Sequence, residues 1–153
     1  MNLDYALTLM DDLQILITTT SGIPVYAHPG DAGCDLRSSQ SGVIEPGERL
    51  TISTGVRMAI PDGFVGLVHS RSGLAAKHGI KVLNSPGTVD AGYRGEIQVT
   101  LLNTDKREPF KIEVGDRIAQ MVFQRVERAR FIEVEHLPES HRGEQGFGST
   151  GSK

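Results

Sequence analysis

Apolar residues recur along this chain in short runs with a period of two, broken every few positions by glycine or proline. Val56-x-Met58-x-Ile60 and Phe110-x-Ile112-x-Val114 alternate strictly, so each predicts a strand with one face buried. Leu13 to Thr18 predicts a first strand, Phe64 to Val68 another, and Ile118 to Val126 a long one followed by Phe131 to Glu135. Val43-Ile44 and Leu50-x-Ile52 flank Pro46-Gly47, where proline supplies the fixed φ and glycine the positive φ of a type II turn. Pro61-Asp62-Gly63 and Gly115-Asp116 mark further turns.

A longer interruption separates Ile80, Val82 and Leu83 from Ile97, Val99 and Leu101, and the pattern predicts a hairpin with Asn84 to Glu96, NSPGTVDAGYRGE, as its lip. Pro86-Gly87 and Ala91-Gly92 give turn signals, but Asp90 and Tyr93 exceed what a connection needs. From this segment alone Asp90 reads equally as a turn residue or as a ligand-facing carboxylate, and Tyr93 equally as packing.

Only Ser72 to Lys77 predicts a helix, with Ser72 as N-cap and Gly79 closing the end. Ten or more short strands with one short helix point to an all-β sandwich, barrel or jelly roll.

The 153 residues suit one domain, and eighteen glycines with no tryptophan fit a turn-rich β fold. We place that domain at residues 1–138, with no pattern in its first dozen, followed by a flexible Gly/Ser-rich arm at 139–153. The net charge of -3, without a basic stripe, predicts neither nucleic-acid nor membrane binding. Cys34 is the single cysteine, and histidines 28, 69, 78, 136 and 141 are scattered, so no structural zinc site is expected. No apolar run approaches a membrane span, and a soluble, cytoplasmic protein is expected.

Several loops offer groups suited to an anion. Arg71-Ser72-Gly73 opens the short helix, Arg117 and Gln120 lie three apart in GDRIAQ, and RGEQGFGSTG could wrap phosphates with main-chain donors. Alone, each also reads as an N-cap, a surface arginine or a chain end. Rossmann and P-loop signatures are absent.

In order and spacing, DAGCDL, RSG, NSPGTVDAGYRGE, GDRIAQ and RGEQGFGSTG resemble the five motifs of the trimeric dUTP pyrophosphatases (dUTPases), bacterial type, between Gly30 and Gly151. The resemblance implies a distorted, β-clip-like jelly roll and a homotrimer with active sites at subunit interfaces, hydrolysing dUTP to dUMP and pyrophosphate with Mg2+. By the same resemblance Asp90 orients and deprotonates the attacking water, and Tyr93 stacks on the deoxyribose. Asn84 with hairpin groups of Thr88 and Val89 reads the uracil edge. Gln98, also counted as a substrate contact, stands where many bacterial members have lysine.

Arg71, Ser72, Gly73 and Gln120 match phosphate contacts, and Asp35 matches the carboxylate that holds Mg2+ through water, while Asp31 reads as structural. In the arm, Arg142 matches the γ-phosphate contact and Phe147 the cover of the base, followed by Gly148, Ser149 and Thr150. Ser70 stands where many members have proline. A dCTP deaminase of the same fold and a non-catalytic nucleotide-binding trimer are the alternatives.

Overall fold

In the computed structural model, residues 12–140 are described. Among them are eleven strands and one helix. The strands are β1 (Leu16–Thr19), β2 (Cys34–Arg37), β3 (Gly42–Ile44), β4 (Arg49–Ser53), β5 (Val56–Ala59) and β6 (Phe64–His69). After the helix α1 (Ser72–His78) come β7 (Ile80–Val82), β8 (Gly87–Val89), β9 (Gln98–Asn103), β10 (Phe110–Ile112) and β11 (Arg117–Arg125). All pairings are antiparallel, in a four-stranded sheet β2-β11-β6-β8, a three-stranded sheet β4-β9-β7, and two ribbons, β1-β5 and β10-β3.

One core joins the two larger sheets. Leu36, Val68 and Met121 from the first and Ile52, Val99 and Leu101 from the second belong to a single buried cluster, completed by Ile44 and Ile112 of the β10-β3 ribbon. Each of these alternates with a more exposed neighbour, so period-two patterning fixes which side of each strand meets the core. Asn103, fully buried, supports the far end: its Nδ2 donates to Ile44 O (3.0 Å) and Glu108 O (2.9 Å), and its Oδ1 accepts from Asp105 N (2.9 Å).

The predicted turn at Pro46-Gly47 forms, with Glu48 N donating to Glu45 O at 3.0 Å and Gly47 at φ +78°. The hairpin also forms, Val82 facing Leu101 and Ile80 facing Asn103. Its lip is more than a connection, however. Residues 87–89 cross to the other sheet as β8, with Thr88 opposite Leu67. The loop between two strands of one sheet thus supplies an edge strand to the second, and Asp90 leaves from its end.

Two local expectations are corrected. Ser72 is the first residue of α1 rather than its cap; Arg71, in extended conformation, is the N-cap and makes no side-chain capping bond, while Gly79 closes the helix in the left-handed region at φ +65°. Phe131 to Glu135 is not a strand: it has no ladder partner among the described residues, and Phe131 and Ile132 are 93% and 75% exposed. Alternation makes a strand only where another strand pairs with it. No helix among the described residues is long and apolar enough to cross a membrane.

Candidate active site

The four-stranded sheet presents its second face outward, and that face carries the polar chemistry. In β2, β11 and β6 the core takes Cys34, Leu36, Met121 and Val68, which turns the intervening Asp35, Gln120 and His69 to the other side. Register sets them in one row, Gln120 lying opposite Asp35 on one flank and His69 on the other.

A bulge adds a fourth residue to this face. Between Arg117 and Ala119 the β11-β2 register shifts, and Ile118 and Ala119 are both buried although consecutive. The extra residue re-aims what precedes it. Arg117 therefore joins Gln120 on the outer face, and its Nη1 lies 3.3 Å from Asp35 Oδ2. Arg71 Nε holds the other oxygen, Oδ1, at 3.1 Å, and Arg71 Nη1 donates to Arg117 O at 3.2 Å.

Asp35 is thereby clamped between two guanidiniums with its side chain only 14% exposed. Gln120 is fixed too, its Nε2 donating to Ser70 O at 3.0 Å. Gly33 leaves the room this needs, since a Cβ there would stand 2.7 Å from Gln120 Oε1. Ser70 has a second duty, its Oγ accepting from the N–H of buried Val82 at 2.8 Å. A proline at this position would have no hydroxyl to offer.

These residues surround a cavity of about 650 Å³, which Ser72, Gly73 and His69 also line. Asp31 also lines it and accepts from His28 N at 2.9 Å across the local turn. The arginines 71 and 117 balance the carboxylates 31 and 35, so these four side chains carry no net formal charge. An anion entering here would meet hydrogen-bond donors without a net positive field from these four groups.

No group of three or more His, Cys, Asp or Glu able to hold a metal ion occurs among the described residues. Asp35 fits the lesser task of an outer-sphere partner: each oxygen has one arginine contact and keeps a lone pair for a metal-bound water.

The hairpin builds a second, smaller cavity of about 210 Å³, lined by Thr88, Val89, Asp90, Tyr93, Glu96 and Gln98 among others. Asp90 is exposed, and its carboxylate makes no hydrogen bond or ion pair to another described residue. Beside it the chain turns, Tyr93 N donating to Asp90 O at 3.0 Å. The Tyr93 ring is pinned at its far end, where its hydroxyl donates to Glu96 O at 2.9 Å, and Gly95 lies so close beneath it that any Cβ would collide with the ring. A fixed aromatic face beside a carboxylate with open lone pairs can meet a sugar and hold a water.

Gln98 is tied back to β4, its Nε2 donating to Ser53 Oγ at 3.3 Å. Asn84 lines neither cavity, and the two share no residue. One chain therefore separates the phosphate-type donors from Asp90 and Tyr93. Arg142, Phe147, Gly148, Ser149 and Thr150 fall outside the described residues. The Arg117 clamp and the row position of His69 were not read as site features from sequence; the GDRIAQ spacing was visible, but the bulge that turns Arg117 to the outer face was not.

Comparison with known proteins is consistent with this architecture. The dUTPase family model matches residues 19–151. The deoxyuridine 5'-triphosphate nucleotidohydrolase of Thermobifida fusca (strain YX) is 62% identical over 129 residues, 84% of this chain and 72% of that protein. The same-named protein of Leifsonia xyli subsp. xyli (strain CTCB07) is 60% identical, covering 84% and 85% respectively. Among solved structures, a Staphylococcus bacteriophage 80alpha dUTPase point mutant with dUpNHpp superposes with a TM-score of 0.84 at 30% identity, covering 90% of this chain and 98% of that one. A phage phi11 dUTPase mutant described as coordinating a structural Mg(II) ion gives 0.76 at 26% identity, covering 82% and 99%. With the fold, the motif order and these matches in agreement, the chain belongs to the dUTPase family.

Proposed function

We propose that the protein hydrolyses dUTP to dUMP and pyrophosphate, removing dUTP from the nucleotide pool and supplying dUMP for thymidylate synthesis. The observation that carries this reading is the hairpin of a dUTPase-family chain holding an unpartnered Asp90 carboxylate beside a pinned Tyr93 ring. Asp90 orients a water and accepts its proton as the oxygen attacks the α-phosphorus. The bond from that phosphorus to the α-β bridging oxygen breaks, and pyrophosphate leaves with the electron pair. No covalent enzyme intermediate is needed.

Tyr93, held rigid by Glu96 O and Gly95, selects deoxyribose by leaving no space for a 2'-hydroxyl. Asn84, Thr88, Val89 and Gln98 take the uracil side. Cytosine is rejected by mispaired polar groups and thymine by steric clash, the harder discrimination. Arg71, Ser72, Gly73 and Gln120 bind the phosphate chain. Asp35 would hold Mg2+ through its coordinated waters, and the ion would supply charge neutralisation of the triphosphate.

Because the two cavities share no residue, the reading includes a homotrimer in which one copy's hairpin meets another's phosphate cavity. Exposed Leu16, Phe131, Ile132 and Leu137 provide apolar surface for such contacts. The arm, with Arg142 at the γ-phosphate, Phe147 over the base and residues 148–150 donating main-chain N–H groups, closes the site. A cytoplasmic location fits the free thiol of Cys34.

The test is pyrophosphate release from dUTP, UTP, dTTP and dCTP with and without MgCl2, with products identified. Selective release of pyrophosphate and dUMP from dUTP supports the reading. Ammonia from dCTP would assign a deaminase, and binding without turnover a nucleotide-binding trimer. Ending the chain after Pro138 should abolish turnover while leaving melting and assembly mass unchanged; normal hydrolysis by that truncation would remove the arm from the site.

A further inference from the structure

We infer that His69 is a further binding residue of the phosphate cavity, donating a ring N–H to the pyrophosphate portion of the substrate beside Gln120 and Arg71; the identity of that anion rests on the dUTP reading. His69 ends β6, and Val68 before it is in the core, so alternation turns the imidazole to the outer face. There it lines the cavity of about 650 Å³ that also holds Asp35, Arg71 and Gln120.

Its backbone lies opposite Gln120, which lies opposite Asp35, so the three side chains form one row across neighbouring strands. Strand spacing gives that row a span of roughly 10 Å. One end is the Asp35 clamp, the middle is the amide of Gln120, and the other end is His69, with Ser70 and Arg71 following directly in the chain.

Among the described residues, the half-buried His69 ring has no hydrogen bond or ion pair, whereas every other charged or amide side chain around it is engaged. Asp35 is held by Arg71 and Arg117, Asp31 by His28, and Gln120 by Ser70. An imidazole left free in a cavity of phosphate-type donors has one N–H to give in its neutral form and two when protonated. His69 is therefore a third kind of donor to the phosphate chain, besides guanidinium and amide.

The experiment is calorimetric titration of inorganic pyrophosphate, with MgCl2, into the full chain, unmutated and carrying His69→Leu or His69→Gln, with dUMP titrated in parallel. His69→Leu is expected to weaken pyrophosphate about tenfold, as loss of one hydrogen bond to a charged group should, while dUMP affinity is unchanged. His69→Gln, which keeps an N–H, recovers most of the loss. In steady state, His69→Leu raises KM for dUTP more than it lowers kcat.

Pyrophosphate affinity unchanged in His69→Leu, or undetectable in the unmutated protein, overturns the inference. Should the leucine variant not fold, the ring 15N signal of His69 in the unmutated protein decides: a shift on adding pyrophosphate supports the contact, and no shift overturns it. Hydrolysis of dUTP by the unmutated protein tests the underlying reading separately. Pyrophosphate binding through His69 without that hydrolysis would sink the dUTP reading alone.

Discussion

Gly33→Ala probes the phosphate cavity without removing any of its polar side chains. The added Cβ would sit 2.7 Å from Gln120 Oε1 and 3.3 Å from both Gln120 Cβ and Cδ. Ordinary carbon-oxygen contact needs several tenths of an ångström more, so the amide must recede. It cannot do so freely, because Nε2 already donates to Ser70 O at 3.0 Å, and a comparable retreat stretches that bond to the limit of a hydrogen bond.

Loss of the bond costs about 1 kcal/mol, and an off-rotamer glutamine roughly 1 more. A total of about 2 kcal/mol corresponds to a fall in Tm of about 4 to 8 °C. On the catalytic side, a displaced Gln120 amide weakens phosphate binding, so KM for dUTP should rise severalfold with a smaller change in kcat. Thermal melting and steady-state kinetics read both effects. In a Gln120→Ala background the same glycine change should cost much less, because the obstructing amide is gone. An unaltered Tm and KM in Gly33→Ala, or equal costs in both backgrounds, would refute the proposed close fit of residues 33 and 120.

Asn103→Ala removes three hydrogen bonds from a fully buried side chain and should destabilise the protein by about 3 kcal/mol in a urea titration; a change below about 1 kcal/mol would show that those backbone groups find other partners. Asp105 accepts from the backbone N–H groups of Glu108 and Arg107, which hold its carboxyl below the ordinary value of 3.8. A lowered folded-state pKa contributes stability above the unfolded value that is lost as pH falls through the folded one. Asp105→Asn should therefore lie below the unmutated protein in stability at neutral pH, with the gap narrowing under acid below pH 4 or so; a gap independent of pH would contradict this.

What the sequence made legible follows local physics. Strict alternation at Val56, Met58 and Ile60 located a strand because burial of one face is a local pattern, and Pro46-Gly47 located a turn because its φ angles are set by those two residues. Phe131 to Glu135 shows the limit, since alternation cannot say whether a partner strand exists. Ser72 was read as a cap on residue type alone, whereas the chain direction at the end of β6 gives that position to Arg71.

The nonlocal features were hidden for the same reason. Arg117 and Asp35 are 82 positions apart, and their contact depends on a bulge that no residue type announces. Motif order supplied the family and the expectation of sites between subunits; that Asp90 and Tyr93 line a different cavity from Asp35, Arg71 and Gln120 within one chain is visible only in three dimensions.

Single-turnover hydrolysis of dUTP by Asp90→Asn, measured beside its affinity for dUpNHpp, addresses the central claim most directly. The account predicts that the analogue binds within a few fold of the unmutated protein while the chemical step slows by about a hundredfold to ten-thousandfold. Turnover within about tenfold of normal would place the general base elsewhere and contradict the account.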